Sequence, residues 1–313
     1  PGRFRGREDD RGRGNPMIIS ASRRTDVPAF YSDWFMKRIE AGHCDVPNPF
    51  NSKQVTKVSL KPEDVDVIVF WTRNASPLLR RLKELDHQGY RYTFLYTLMD
   101  NPRAIDPRCP SLEEGLATFR ALSDRIGPER VMWRYDPIVF SNVTTPEFHR
   151  NAYETISKCL RGYTNRSIIS VVNVYKKVSQ RLKNLSETGI EVMECSGKTF
   201  GDLVRFMVSA ARESGMTLST CAQERDLTAH GVFPGKCIDD GLIGEVFGLE
   251  VSHAKDPSQR RACGCVKSKD IGMYDTCLYG CAYCYATTSF DRVKANHRKH
   301  DPEAPSLIPQ SSS

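Results

Sequence analysis

Short apolar runs that alternate with helical stretches constrain the fold of this chain more than any other feature of its sequence. Each run is rich in β-branched or aromatic residues and is followed by a polar segment. The runs are Met17–Ser20, Val65–Trp71, Tyr92–Leu98, Val131–Tyr135, Ile168–Val172 and Thr217–Cys221. Continuous apolar runs of this length are typical of strands that are buried on both faces of a parallel sheet.

The stretches between these runs carry the periodicity and the start signals of helices. They are Ala29–Ala41, Pro77–Gln88, Ser111–Ile126, Thr145–Arg161 and Thr199–Ser214. Ser111 precedes two glutamates, and Pro146 follows Thr145, which are arrangements typical of a helix N-terminus. Strands that alternate with helices of this length predict βα units and a parallel sheet.

The expected sheet has these six strands and a seventh near Asp270–Tyr274. We therefore predict the α/β class, with a full or partial parallel (β/α) barrel as the architecture. Periodicity does not show closure, so a flat doubly wound sheet is the alternative. The segment Cys44–Ser59 interrupts the alternation and is predicted to form a small hairpin.

A single domain is predicted over residues 17–308, with a cysteine-rich region at residues 221–286. Residues 1–16 are mostly Arg, Gly and acidic residues. We interpret them as a disordered tail or an artefact upstream of a natural start at Met17. Residues 309–313 are predicted to form a second disordered tail.

The charge and the hydropathy of the chain indicate which classes of partner and which cellular location to expect. The formal net charge is +7, and the first sixteen residues supply five arginines against three acids. The remaining excess is spread along the chain, which indicates an ordinary solvated surface and does not indicate a nucleic-acid partner. No apolar run approaches the roughly 20 residues of a membrane helix, and the N-terminal stretch lacks the apolar segment of a signal peptide. We expect a cytoplasmic protein.

Eleven cysteines are many for such a protein, and their distribution is uneven. Four are scattered and are expected to be small core residues or surface thiols: Cys44, Cys109, Cys159 and Cys195. Seven lie in the last third: Cys221, Cys237, Cys263, Cys265, Cys277, Cys281 and Cys284. Without a secretion signal, this clustering favours metal or redox chemistry over a disulfide framework.

The tightest group, Cys277, Cys281 and Cys284, has the spacing Cys-x3-Cys-x2-Cys. Three thiolates on one short loop can bind an iron–sulfur cluster. A 4Fe–4S cluster has four irons, so three cysteines leave one iron open to a small molecule. That arrangement suits S-adenosylmethionine, whose amino and carboxylate groups can chelate the open iron before an electron from the cluster breaks the sulfonium bond.

This spacing, with aromatic Tyr283 before the third cysteine, resembles the hallmark of the radical S-adenosylmethionine superfamily. The resemblance implies a TIM-like barrel, a 4Fe–4S cluster and S-adenosylmethionine, with the backbone at Tyr283 against the adenine. It implies an enzyme that generates a 5′-deoxyadenosyl radical on a substrate of unknown identity, with the cofactor carrying the hard step. An electron donor such as ferredoxin or flavodoxin is the expected partner.

The position of the three cysteines along the chain departs from the superfamily pattern. The superfamily normally carries them after its first strand, whereas here they follow all the other predicted strands. A circular permutation would make Asp270–Tyr274 the first barrel strand, Tyr285–Lys299 the first helix and Met17–Ser20 the second strand. From Met17 to about Ile308, the chain is similar to a bacterial domain-of-unknown-function family that ends in such a cysteine cluster. The matching pieces are Ile18–Asp26, Val69–Asn74, Trp133–Pro137, Cys221–Glu224, Cys263–Cys265 and Asp270–Ala286.

The segment Ser22–Asp26 then follows the second strand, where the superfamily usually has a Gly-Gly-Glu-like segment. The glycines are missing here. Asp26 is nevertheless a candidate acceptor for the amino group of S-adenosylmethionine, and Arg23 or Arg24 for its carboxylate. A salt-bridged strand end is the alternative. For Arg134, inside an apolar run, pairing with Asp136 and an anion site are both open.

Four further cysteines can supply all the ligands of a second cluster or of a tetrahedral zinc site. They are Cys221, Cys237, Cys263 and Cys265. We favour a second 4Fe–4S cluster over zinc. The alternative function for the whole chain is a non-catalytic zinc or iron–sulfur protein with a structural or electron-transfer role. It requires a fourth ligand for the loop of Cys277, and Cys263 or Cys265 is the candidate.

Overall fold

The computed structural model describes residues 16–309, so both predicted tails lie outside the described residues apart from Pro16 and Pro309. The strands are β1 (Met17–Ala21), β2 (His43–Asn48), β3 (Asn51–Ser59), β4 (Val65–Thr72), β5 (Tyr92–Thr97), β6 (Val131–Ile138), β7 (Arg166–Val171), β8 (Thr217–Cys221), β9 (Phe233–Gly235) and β10 (Lys269–Asp270). The helices are α1 (Val27–Phe30), α2 (Ser32–Ala41), α3 (Ser76–Leu79), α4 (Leu82–His87), α5 (Leu112–Ile126), α6 (Pro146–Cys159), α7 (Lys176–Asn184), α8 (Gly197–Glu213), α9 (Asp240–Phe247) and α10 (Phe290–Arg298).

Eight strands form one parallel sheet in the order β10-β1-β4-β5-β6-β7-β8-β9. The prediction of an α/β protein with a large parallel sheet is confirmed. Within residues 16–309, the strand pairing begins at β10 and ends at β9 without joining these two strands. The remaining strands, β2 and β3, form the antiparallel hairpin predicted within Cys44–Ser59.

Both faces of the large sheet are buried, which explains why its strands are continuous apolar runs. On β4, Ile68 and Phe70 enter a core that also contains residues of α2, α5, α6 and α8. The intervening Val67 and Val69 enter a second core on the opposite face. Its cover is the segment 237–266, which supplies Ile238, Leu242, Val251 and Val266 and also carries three of the cysteines.

The C-terminal segment returns to the start of the sheet. Lys269 and Asp270 of β10 pair in parallel with Ile19 and Ser20 of β1. This places the strand that precedes the cysteine loop next to the first apolar run of the chain. The strand is shorter than predicted because the Asp270 carboxylate accepts from the Gly272 amide at 3.0 Å and turns the chain.

Several elements differ from the predicted ones. The stretch Ala29–Ala41 forms two helices that break at Tyr31, and Pro77–Gln88 likewise contains α3 and α4. The eighth strand, β9, and the helices α7 and α9 are not predicted. None of the helices within residues 16–309 combines the length and the apolar character that crossing a membrane requires.

Candidate functional site

The carboxyl ends of the parallel strands surround a cavity of ≈ 490 Å³. Residues that follow or end five different strands line it: Ser22–Asp26 after β1, Thr72 and Arg73 at β4, Arg134 and Asp136 in β6, Ser170 in β7 and Cys221 in β8. Ligands of parallel α/β sheets bind at this edge. The polar segments after the apolar runs therefore converge, as their positions predict.

Cys277, Cys281 and Cys284 all line this cavity. Their loop turns at Gly280, whose φ of 77° lies in the left-handed region that favours glycine. The Cys284 amide donates to the Cys281 carbonyl at 3.1 Å, which closes the turn between the last two cysteines. Burial raises the pKa of the Cys277 thiol, while the backbone amides of Tyr279 and Asp26 donate to its sulfur.

Arg181 of α7 holds the cysteine loop by its backbone. Its Nε donates to the Ala282 carbonyl at 3.1 Å, its Nη1 donates to the Thr287 carbonyl at 2.7 Å, and its Nη2 donates to the Cys284 carbonyl. A planar guanidinium can satisfy several carbonyls at once. No sequence signal marked Arg181, because α7 was not predicted.

Tyr283 is held from the opposite side. Its hydroxyl donates to the Asp106 carboxylate at 2.7 Å, and it accepts from Arg73 Nη2. Arg73 Nη1 also lies 3.4 Å from Asp106 Oδ2, so the three side chains form a closed buried network. Tyr283 lines the cavity as expected, but its ring is fixed by this network.

Asp26, one of the residues predicted to contact S-adenosylmethionine, lies next to the cysteine loop. Its carboxylate accepts from the Thr72 hydroxyl at 2.8 Å and from the Arg73 amide at 2.7 Å. Burial nevertheless raises the pKa of Asp26 to about 7. Its own amide donates to Cys277 Sγ, so this strand end contacts the first cysteine set directly.

Arg24 and Arg23 diverge although they are adjacent. Arg24 Nη1 donates to the Gly272 carbonyl at 3.3 Å, and its guanidinium lies over the Tyr274 ring. Arg23 instead donates to Ser268 at 3.1 Å and hydrogen-bonds Cys265, which places it at the other group of cysteines.

The four remaining cysteines of the C-terminal third lie close together. Cys237 Sγ lies 3.1 Å from Cys221 Sγ, and Cys265 hydrogen-bonds both Cys237 and Cys263. The bonds from Cys237 and Cys263 lower the pKa of the Cys265 thiol. We call these four residues the second cysteine set and Cys277, Cys281 and Cys284 the first cysteine set.

Both sets face the same cavity, since Cys221, Cys263 and Cys265 line it together with the first set. The Trp71 ring contacts two of the arginines that line the cavity. The guanidinium carbons of Arg23 and Arg134 are 5.4 and 4.8 Å from the centroid of its ring. Arg134 also forms an ion pair with Asp136, so the pairing interpretation of Arg134 is the one found.

Cys109 is a buried core residue, one of the two alternatives predicted for it, but the sequence did not indicate its closeness to the cysteine loop. Its Sγ lies 3.7 Å from Cys281 Sγ. Within residues 16–309, Asp106, Cys109 and Cys281 are the one group of three metal-binding side chains whose ligand atoms all lie within 4.8 Å of one another. The 14-residue connection from β5 to α5, which no spacing pattern relates to the cysteine loop, carries Cys109 there.

The donor sets fit thiolate-bound metal groups. Among the described residues, no three sulfurs of either cysteine set all lie within 4.8 Å of one another. Each set is therefore wider than the ligands of one ion, which suits thiolates that bind separate irons. In the second set this spacing favours a second cluster over zinc. Because both sets lie in a partly enclosed cavity, a small molecule can reach them together.

Residues 18–286 match the family described as "Domain of unknown function (DUF1848)", and the chain belongs to that family. No curated protein matches the chain.

Proposed function

We propose that this DUF1848 protein is a radical S-adenosylmethionine enzyme whose first cysteine set holds a 4Fe–4S cluster. The observation that carries the proposal is the convergence of Cys277, Cys281 and Cys284 on a cavity at the carboxyl ends of a parallel sheet. When bound, the cluster would supply the electron that cleaves S-adenosylmethionine to a 5′-deoxyadenosyl radical. The barrel-like, permuted interpretation of the sheet belongs to the same proposal.

The chain's own residues would bind and orient S-adenosylmethionine. Asp26 would accept from its amino group, and the contact of the Asp26 amide with Cys277 supports this role. Arg24 lines the same cavity and would bind the carboxylate. Arg23 is the weaker candidate for that role, since its guanidinium contacts Ser268 and Cys265.

The substrate would occupy the part of the cavity between the two cysteine sets. Arg134, Asp136 and Ser170 form a connected polar group there, because Asp136 accepts from both neighbours. The Trp71 ring beside Arg134 offers an apolar surface. These residues would orient a small molecule and exclude water, which is what a radical reaction requires of the protein.

The second cysteine set would hold an auxiliary 4Fe–4S cluster, with zinc as the alternative. Because it faces the same cavity, its metal would lie beside the substrate.

The alternative function, a non-catalytic metal protein, is favoured by a different observation. Cys109 is close enough to Cys281 to supply the fourth thiolate that closes the first site. An electron donor such as ferredoxin or flavodoxin would reduce the cluster of the first set.

Anaerobic reconstitution tests the proposal. The wild-type protein should bind iron and sulfide, turn brown and release 5′-deoxyadenosine when dithionite and S-adenosylmethionine are added. Cys281→Ala should abolish that release, and Cys159→Ala should not, because Cys159 lies at the end of α6 outside the cavity lining. A colourless protein that holds stoichiometric zinc and leaves S-adenosylmethionine intact would overturn the proposal.

A further inference from the structure

Cys109 is within reach of the first cysteine set. Its Sγ lies 3.7 Å from Cys281 Sγ, which is closer than two thiolates that bind separate irons of one cluster. A change of χ1 rotamer displaces a cysteine sulfur by about 3 Å, which brings a neighbouring metal position within reach as well. A buried thiol at this distance from a metal ligand is placed to become a ligand itself.

We propose that Cys109 is an exchangeable fourth ligand of the first cysteine set. Its thiolate occupies the position that the three motif cysteines leave open, and S-adenosylmethionine displaces it. This inference rests on the proposed function, because it needs a cluster at Cys277, Cys281 and Cys284. The exchange is a ligand substitution, in which the thiolate leaves with its electron pair and nothing is oxidised or reduced.

Arg73 can compensate the negative charge of the displaced Cys109 thiolate. Arg73 Nη1 lies 3.4 Å from Cys109 Sγ, and the Arg73 side chain is only 12% exposed. A cation held at this distance compensates the charge of a released thiolate. Without it, a buried unpaired charge would make release costly.

The structure also provides space. A second cavity of ≈ 590 Å³ lies on the other side of Cys109 and is lined by Cys109, Arg108, Tyr279 and Glu114. Cys109 lines this second cavity, Cys281 lines the first, and Tyr279 lines both. The Cys109 side chain therefore borders open space into which its sulfur can move without displacing the core.

Mild oxidation of the reconstituted protein tests ligation. A cluster iron that has only solvent in its fourth position is lost readily and leaves a 3Fe–4S cluster with its own electron paramagnetic resonance signal. Without S-adenosylmethionine, the wild-type protein and the control Cys159→Ser should resist this conversion, and Cys109→Ser should undergo it. Equal conversion of all three proteins would overturn the inference and leave the proposed function standing.

Alkylation by iodoacetamide under anaerobic conditions, read by mass spectrometry at Cys109, tests exchange. Because a metal-bound thiolate is not free to attack the reagent, reconstitution should slow modification of Cys109 by about tenfold or more, and S-adenosylmethionine should restore it. Modification of Cys159 should not change. If S-adenosylmethionine binds and Cys109 stays protected, exchange is wrong and the proposed function stands. If S-adenosylmethionine does not bind at all and Cys109 stays protected, exchange and the proposed function both fail, and a permanent four-thiolate site remains.

Discussion

The hydroxyl of Tyr283 lies 2.7 and 2.9 Å from the two carboxylate oxygens of Asp106. This hydrogen bond ties the cysteine loop to the connection between β5 and α5. Asp106 also accepts from Asn101 at 2.8 Å, so the carboxylate is the centre of the buried network. The first cysteine set is thus held in place by side chains from a part of the chain more than 170 residues away.

Removal of the Tyr283 hydroxyl should destabilise the protein. Tyr283→Phe removes the bond to Asp106 and the acceptor for Arg73, and we expect a loss of about 1–2 kcal/mol in the free energy of unfolding. Urea denaturation measures it. Tyr279→Phe is the matched control, because the buried Tyr279 hydroxyl has no hydrogen-bond partner among the described residues. That variant should be neutral or slightly stabilised, and equal losses in both variants would contradict the role of the network.

Arg181 should control how firmly the cysteine loop retains its metal. Arg181→Ala removes the donors to the carbonyls of Ala282, Cys284 and Thr287, with an expected loss of about 1–3 kcal/mol and faster transfer of iron to a chelator. Lys183→Ala, at an exposed position of the same helix, should leave both quantities unchanged. Chelator kinetics that do not distinguish Arg181→Ala from the wild type would show that these bonds do not hold the loop.

His149 should make stability depend on pH. Its Nε2 donates to the Val139 carbonyl, so its Nδ1 accepts from the Tyr135 hydroxyl and the ring is neutral. Burial lowers the pKa of His149 from 6.5 to about 4. The unfolded chain therefore binds the proton more readily, and this group should remove up to about 3 kcal/mol of stability as the pH falls from 6.5 to 4.

Denaturation of His149→Gln across that pH range measures the effect. The slope of unfolding free energy against pH should be shallower in this variant than in the wild type. The exposed His87 supplies the control, since His87→Gln should keep the wild-type slope. Parallel curves for all three proteins would show that His149 does not carry the dependence.

The second cysteine set should lose its metal independently of the first. Cys237→Ser removes the sulfur that contacts both Cys221 and Cys265, and we expect the metal of the second set to be lost while the first set stays loaded. Cys44→Ser is the control, because Cys44 is buried in the hairpin strand β2. Iron, zinc and sulfide analysis of the three proteins measures the outcome. Full metal content in Cys237→Ser would remove this residue from the set.

The strands of the large sheet could be predicted because burial on both faces leaves a continuous apolar run, as in Val65–Trp71. The strand β9 could not, since Phe233–Gly235 is three residues long, contains Pro and Gly, and is partly exposed. The helix α7 has a strongly polar sequence and packs only a narrow apolar stripe through Val178 and Leu182. Such a stripe is too short to stand out as a helical period.

At the candidate site too, the sequence reveals residues that are close along the chain and misses those that only the fold brings together. Local spacing reveals Cys277, Cys281 and Cys284, because all three ligands lie on one loop. Cys109 and Arg181 reach that loop only through the path of the chain in three dimensions, at separations of 172 and 103 residues. Arg23 and Arg24 show that the sequence also does not reveal in which direction each side chain points. Adjacent arginines were equivalent in sequence, but the turn after β1 directs the Arg23 guanidinium to Ser268 and Cys265 and the Arg24 guanidinium to the Gly272 carbonyl.

Electron–nuclear double resonance on the reduced protein tests the central claim most directly. The probe is S-adenosylmethionine labelled with magnetic isotopes at its amino nitrogen and its carboxylate oxygens. We expect both labels to couple to the cluster in the wild-type protein and in Cys237→Ser, and we expect no coupling in Cys281→Ala. A reduced cluster in the wild type whose spectrum is the same with and without the labels would contradict an open iron at the first cysteine set.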